Sequence, residues 1–107
     1  MTEFSTPAGA RSAARRGLDL VRAGKAGGGF EPATAARARK IVAGDPLTRA
    51  GVMRMHSFFS RHAVDRKPDW GKSGKETPGY VSWQTWGGDA GASWASSLAS
   101  KLRQSAK

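Results

Sequence analysis

Histidine is the first residue type to consider, because imidazole is both a common general base and a common metal ligand near neutral pH. His56 and His62 lie six residues apart on a segment that we predict to be helical. At this spacing they point to different sides of the helix and cannot hold one metal ion as an i, i+4 pair does. The chain has no cysteine, which excludes thiolate zinc sites. We therefore expect no metal site and no cofactor.

Four neighbouring residues have the types of a hydrolytic set, namely Ser57, Ser60, His62 and Asp65. His62 and Asp65 are i, i+3 neighbours, so their side chains lie close on one helix. No oxyanion hole or nucleophile elbow accompanies them in the sequence. An ion pair at the helix end, between Asp65 and His62 or Arg61, is the favoured interpretation. We expect that the chain is not an enzyme.

The glycines of the segment WGGDAG, residues 86–91, suggest a phosphate cradle. A phosphate-binding loop needs a preceding strand and a following Lys-Ser/Thr pair, and this segment has neither. Glycine also tolerates the positive φ at which a helix ends. We predict a glycine corner between two helices, with Asp89 capping the second.

The positive charge is the property that points to a partner. The chain has 18 basic and 8 acidic residues, a formal net charge of +10. Such an excess attracts DNA or another polyanion and gives an affinity that falls with salt. The candidate nucleic-acid-binding residues are Arg37, Arg39, Lys40, Arg49, Arg54 and Arg61 on the second and third predicted helices, with Arg66, Lys67, Trp70, Lys72 and Lys75 in the loop that follows.

Three interpretations of this basic region remain open. The second and third helices, joined by residues 44–47, have the spacing of a helix-turn-helix motif. They also fit a helical hairpin whose charges are only solvated. The third interpretation is sequence-independent phosphate binding, in which Trp70 stacks on a base; Trp70 serves equally well as a lid on the core.

The predicted fold is all-α, a small bundle of four to five short helices. Caps and breakers place the helices at residues 7–23, 32–43, from Thr48 to about Ala63, from Thr77-Pro78 to Trp86, and from Ala90 to about Arg103. A single domain of residues 7–103 contains a loop at 65–77, with a disordered tail at 1–6 and another tail at 104–107. No segment alternates well enough to be predicted as a strand.

The core is expected to be small and to depend on indole rings. Leu, Ile, Val and Phe together account for only 15 of the 107 residues, whereas each aromatic ring buries about 150–250 Å². No apolar run reaches the length of a membrane span, and no secretory signal is recognisable, so we expect no membrane partner. The predicted core residues are Val52, Met55, Phe59, Val81, Trp83, Trp86, Trp94 and Leu98.

Four segments in this order, AARRGLDLVRAG, ATAARARKIVAGDPLT, VMRMHSFFSRHAVDRK and GYVSWQTWGGDAGASWA, carry a resemblance. The chain resembles a short domain of uncharacterised tailed-bacteriophage proteins, over about residues 8–102. The most specific portions are MHSFFSRHAVDRK and the WxxWGGDAGxxWA corner. Because that domain also occurs joined to virion-associated polypeptides, the resemblance implies a role near the phage head or DNA, in the host cytoplasm or the virion.

Two classes of function follow from the charge and the resemblance. The first is a phage-encoded, non-enzymatic accessory protein that binds DNA mainly through its phosphates. The second is a protein-interaction module, either a minor virion component or an early protein that docks on a host factor. An exposed apolar patch of several hundred Å² would favour the second class.

Overall fold

Helices dominate the computed structural model, which describes residues 3–27, 32–65, 70 and 77–105. Over these residues the five α-helices are α1 (Ala8–Arg22), α2 (Pro32–Val42), α3 (Arg49–His62), α4 (Pro78–Thr85) and α5 (Gly88–Ser105), with a short 3₁₀ helix at Ala63–Asp65. Helix α1 packs against α2, α4 and α5, and α3 packs against α5. The predicted all-α bundle is confirmed.

Side-chain caps define the starts of α3 and α4. The hydroxyl of Thr48 accepts a hydrogen bond from the Gly51 N–H at 3.2 Å, and that of Thr77 accepts one from the Tyr80 N–H at 3.2 Å. Pro78 occupies the first turn of α4, where its missing N–H costs no hydrogen bond. Both caps agree with the sequence prediction, because a cap depends on residues only three positions apart.

The glycine corner lies between α4 and α5, as predicted. Gly87 and Gly88 have φ values of +125° and +64°, which are strained for any residue with a Cβ. Helix α5 starts at Gly88, before the predicted cap residue Asp89. The Asp89 carboxylate instead lies in the first turn, where Oδ1 accepts a hydrogen bond from the indole Nε1 of Trp83 at 2.9 Å. This hydrogen bond therefore links the first turn of α5 to α4 across the corner.

A two-stranded antiparallel sheet adds to the helices. Strand β1 (Glu3–Phe4) pairs with β2 (Leu47–Thr48), with Phe4 opposite Leu47. The sequence assigned residues 3 and 4 to a disordered tail and predicted no strand. Strands of two residues are too short to show an alternating pattern, so only the pairing reveals them. At the other end, α5 continues to Ser105, past the predicted end at Arg103.

The buried centre combines aromatic rings with alanines. Its main cluster consists of Ala14, Ala38, Ile41, Met55, Phe58, Phe59, Trp83 and Ala95. Of the predicted core residues, Val52, Met55, Phe59, Val81 and Trp83 are buried, whereas Trp86, Trp94 and Leu98 are half-buried. The buried face of α5 is Gly91, Ala95 and Ala99, one position away from the predicted Trp94, Leu98 and Leu102 stripe. Small residues occupy this face because α1 and α3 both pack closely on α5.

Most of the predicted loop at 65–77 lies outside the described residues. Asp65, Trp70 and Thr77 are described, and the lysines and arginine predicted to bind nucleic acid there are not. No helix within the described part of the chain has both the length and the apolar character to span a bilayer.

Candidate nucleic-acid interface

A groove between α2 and α3 brings the predicted basic residues together. It has a volume of about 400 Å³, within the range of small-molecule sites. We call it the α2–α3 groove, and its lining residues are Ala33, Ala36, Arg37, Lys40, Ile41, Pro46, Leu47, Thr48, Gly51, Arg54 and Met55. Its two walls come from one face of each helix, since the lining positions recur three and four residues apart.

The charge of the α2–α3 groove is entirely positive among its lining residues. Arg37 and Lys40 extend from α2, Arg54 extends from α3, and none of the described residues in the lining is acidic. Lys40 and Arg54 are exposed, and neither forms an ion pair with any described residue. Like charges from two helices gathered in one groove repel each other and attract an anion.

Trp86, next to the glycine corner, joins the two helices that form the groove. Its ring stacks on Phe58 of α3, with centroids 4.5 Å apart and planes inclined by 7°. The Arg37 guanidinium of α2 lies over the same indole, 4.4 Å from its centroid. Stacking and cation–π contacts of this kind each contribute about 0.5–1.5 kcal/mol. Trp86 thus positions the two walls.

The helix-turn-helix interpretation finds no support in this packing. In that motif the two helices pack against each other across a short turn. Here α2 packs mainly on α1 and α3 packs mainly on α5. The space between α2 and α3 is the groove itself, with Trp86 bridging them.

The remaining predicted basic residues of α2 and α3 lie outside the groove. Arg39 and Arg61 are exposed, and Arg61 is two turns after Arg54 on the same face of α3. The Arg49 guanidinium is turned toward α5, where Nη2 donates to the Leu102 carbonyl oxygen at 3.4 Å. Arg66, Lys67, Lys72 and Lys75 lie outside the described residues. The structure therefore brings together Arg37, Lys40 and Arg54.

Trp70 covers the core. It is half-buried and packs against the main cluster. Its ring makes edge-on contacts with Tyr80 and Trp83, at 5.8 Å between centroids in each case. Among the described residues its buried indole N–H has no hydrogen-bond partner. Of the two interpretations of Trp70, this packing favours the lid over the base-stacking platform.

The two histidines lie in different parts of the structure and have different neighbours. His62 Nδ1 lies 2.9 Å from Asp65 Oδ2, so the predicted contact at the helix end is confirmed. His56 lines a second, shallow groove of about 460 Å³ between α3 and α5, together with Ser60, Ser93 and Asp89. Within the described ranges His56 makes no hydrogen bond, and no three His, Asp or Glu side chains come together in a way that could hold a metal ion.

No family model, curated protein or solved structure matches this chain. The α2–α3 groove is therefore interpreted from its own residues.

Sequence reasoning missed the small residues that make this groove. Ala33, Ala36 and Gly51 line it, and none of them was selected as a site residue because none carries a charge. A signal was present in the sequence. Two alanines three positions apart lie on the same helix face as Arg37 and Lys40, and their short side chains leave a depression beside the long cationic ones.

Proposed function

We propose that this protein is a non-enzymatic accessory that binds nucleic acid through phosphate contacts in the α2–α3 groove. The observation that supports the proposal is the cluster of Arg37, Lys40 and Arg54, drawn from two helices into one groove in which no described lining residue is acidic. With the resemblance to tailed-phage proteins, the proposal extends to a phage accessory that acts in the host cytoplasm or the virion.

The energetics of such binding come mainly from counterion release. Each phosphate neutralised on duplex DNA contributes about −0.9 to the slope of log affinity against log salt, so the two exposed cations of the groove, Lys40 and Arg54, predict a contribution near −2. The net charge of +10 steers a polyanion toward the protein from a distance. The first turn of α3, which carries no acidic residue, adds the positive end of a helix dipole near the groove.

The surface gives less support to the alternative, a protein-interaction module. Interfaces with stable protein partners use contiguous apolar patches. Among the described residues, Val64 at 83% exposure is the large hydrophobic side chain that stands out in solvent. The phosphate-binding proposal is therefore preferred.

Two double variants, one in the groove and one outside it, test where on the protein nucleic acid binds. We expect Lys40→Gln with Arg54→Gln to weaken binding to an oligonucleotide about 10-fold or more and to reduce the salt slope by about 2, because two phosphate contacts are lost. Fluorescence anisotropy titrations at about 50 mM and about 200 mM salt measure both quantities.

The control removes the same charge from other surfaces. Arg15 on α1 and Arg103 on α5 are exposed and do not line the groove. Arg15→Gln with Arg103→Gln should change affinity much less than the groove pair. Equal losses in the two double variants would place binding outside the groove, and an affinity independent of salt would contradict nucleic-acid binding altogether.

A further inference from the structure

The two walls of the α2–α3 groove point to the kind of nucleic acid that it takes. We propose that the groove holds one strand of single-stranded nucleic acid, with its phosphates between Lys40 of α2 and Arg54 of α3; this rests on the proposed function. Cations on both walls of a groove can contact a single backbone from two sides, whereas a flat basic face contacts a duplex from one side only.

The size of the groove separates single strands from duplexes. At about 400 Å³ it has the volume of a small-ligand site. A duplex is stiff, with a persistence length of about 150 base pairs, so its backbone does not bend into a groove of this volume and contacts it from one side. A single strand is flexible enough to enter and contact both walls at once.

The side chains between the cations permit close approach of a backbone. Ala33 and Ala36 on α2 and Gly51 on α3 line the walls, and these residues have a methyl group or no side chain at all. Pro46 and Leu47 line the groove near the start of α3, where they offer apolar contact to a sugar or base. The groove thus combines a cationic track with apolar contacts, as single-strand-binding grooves do.

A partner protein's acidic helix is the competing occupant of a groove with this charge. Helix-in-groove recognition needs apolar pockets that receive anchor side chains. Of the three large apolar residues of the lining, Ile41 and Met55 are covered, at 0% and 1% exposure, and only Leu47 is half-buried. One half-buried leucine is a poor anchor site for a helix, and Lys40 and Arg54 are exposed, so the groove suits a polyanionic strand better.

Filling the groove tests the proposal without changing its charge. Ala36 is exposed on α2 and lines the groove, whereas Ala50 is exposed on α3 and does not. Binding is measured by anisotropy with one oligonucleotide of about 15 nucleotides, used both single-stranded and annealed to its complement. We expect the single strand to bind about 10-fold more tightly than the duplex, Ala36→Trp to remove most of that preference, and Ala50→Trp to retain it.

Ala33→Trp, at another exposed position of the lining, is a second variant that fills the groove, and we call it and Ala36→Trp the blocking variants. Thermal melting checks that each variant is folded. Equal or tighter duplex binding with a steep salt slope would overturn the single-strand proposal while leaving the proposed function in place. Unchanged single-strand binding in both blocking variants would also overturn it, and is the result expected if the groove instead receives a partner's acidic helix. Absence of salt-sensitive binding to either form would overturn both proposals.

Discussion

Gly17→Ala lowers the free energy of unfolding by about 3 kcal/mol, the upper part of the usual range for overpacking a well-packed site. A Cβ at this position would lie 2.6 Å from the Thr85 backbone nitrogen and 2.7 Å from Thr85 Cγ2. The obstacle is backbone rather than a flexible side chain, so α1 and α4 must move apart. In a domain of this size the loss lowers Tm by about 10 °C or more. Urea denaturation followed by circular dichroism measures the effect.

Gly91→Ala is the matched control and has the opposite expected sign. A Cβ at Gly91 would meet Trp86 O at 3.5 Å, Ala10 Cβ at 3.6 Å and Phe59 Cε2 at 3.7 Å, which are ordinary packing distances. Removing a glycine from the interior of α5 then stabilises the protein by about 0.5–1 kcal/mol. A Gly17→Ala variant as stable as Gly91→Ala would show that α1 and α4 do not approach as closely as described.

Trp83→Ala should cost about 3–5 kcal/mol, the usual loss when a large buried ring is removed. Trp83 is 4% exposed and packs edge-on against Phe59, with centroids 4.6 Å apart. Its Nε1 also donates to Asp89 Oδ1 at 2.9 Å, so the variant loses a hydrogen bond to a charged group along with the ring. Because natural domains have only about 5–15 kcal/mol of stability, we expect a broad transition or none in a thermal melt.

Two further variants test this prediction, one at Trp83 itself and one at Trp94. Trp83→Phe keeps most of the apolar area but removes the indole donor, and should cost less than the alanine variant. Trp94→Ala removes a ring that is only half-buried on α5 and should also cost less. If Trp94→Ala proves as damaging as Trp83→Ala, the main core cluster has been assigned to the wrong indole.

The starts of α3 and α4 were predictable because each depends on a few adjacent residues. Thr48 and Thr77 each cap an amide three positions ahead, and such a cap works in any tertiary setting. The corner at Gly87 and Gly88 was predictable for the same reason, since positive φ is a local requirement. Charge likewise follows from composition, so the sequence identifies the basic residues but not their arrangement.

Burial was harder to predict where helices approach closely. On α5 the i, i+4, i+8 spacing of Trp94, Leu98 and Leu102 predicts that this stripe faces the core, yet Ala95 and Ala99 are buried, at 0% exposure each. Periodicity locates a stripe on a helix but does not reveal how close the neighbouring helix lies. When two backbones come together, small residues occupy the contact and larger ones move to its flanks, as at Gly17 between α1 and α4.

The candidate site depends on contacts between residues distant in sequence. Arg37 and Lys40 are predictable as exposed cations of one helix and Arg54 as a cation of another, but their convergence is not a property of either helix. It depends on the packing of α2 on α1 and of α3 on α5, and Trp86, about 50 residues after Arg37 along the chain, contacts both Arg37 and Phe58. The amino-acid order therefore decides which segments are helical and how strongly the protein attracts anions. Packing of α2 on α1 and of α3 on α5, with Trp86 in contact with both α2 and α3, decides that three of its positive charges share a groove, because a long-range contact depends on the fold of the chain between its partners.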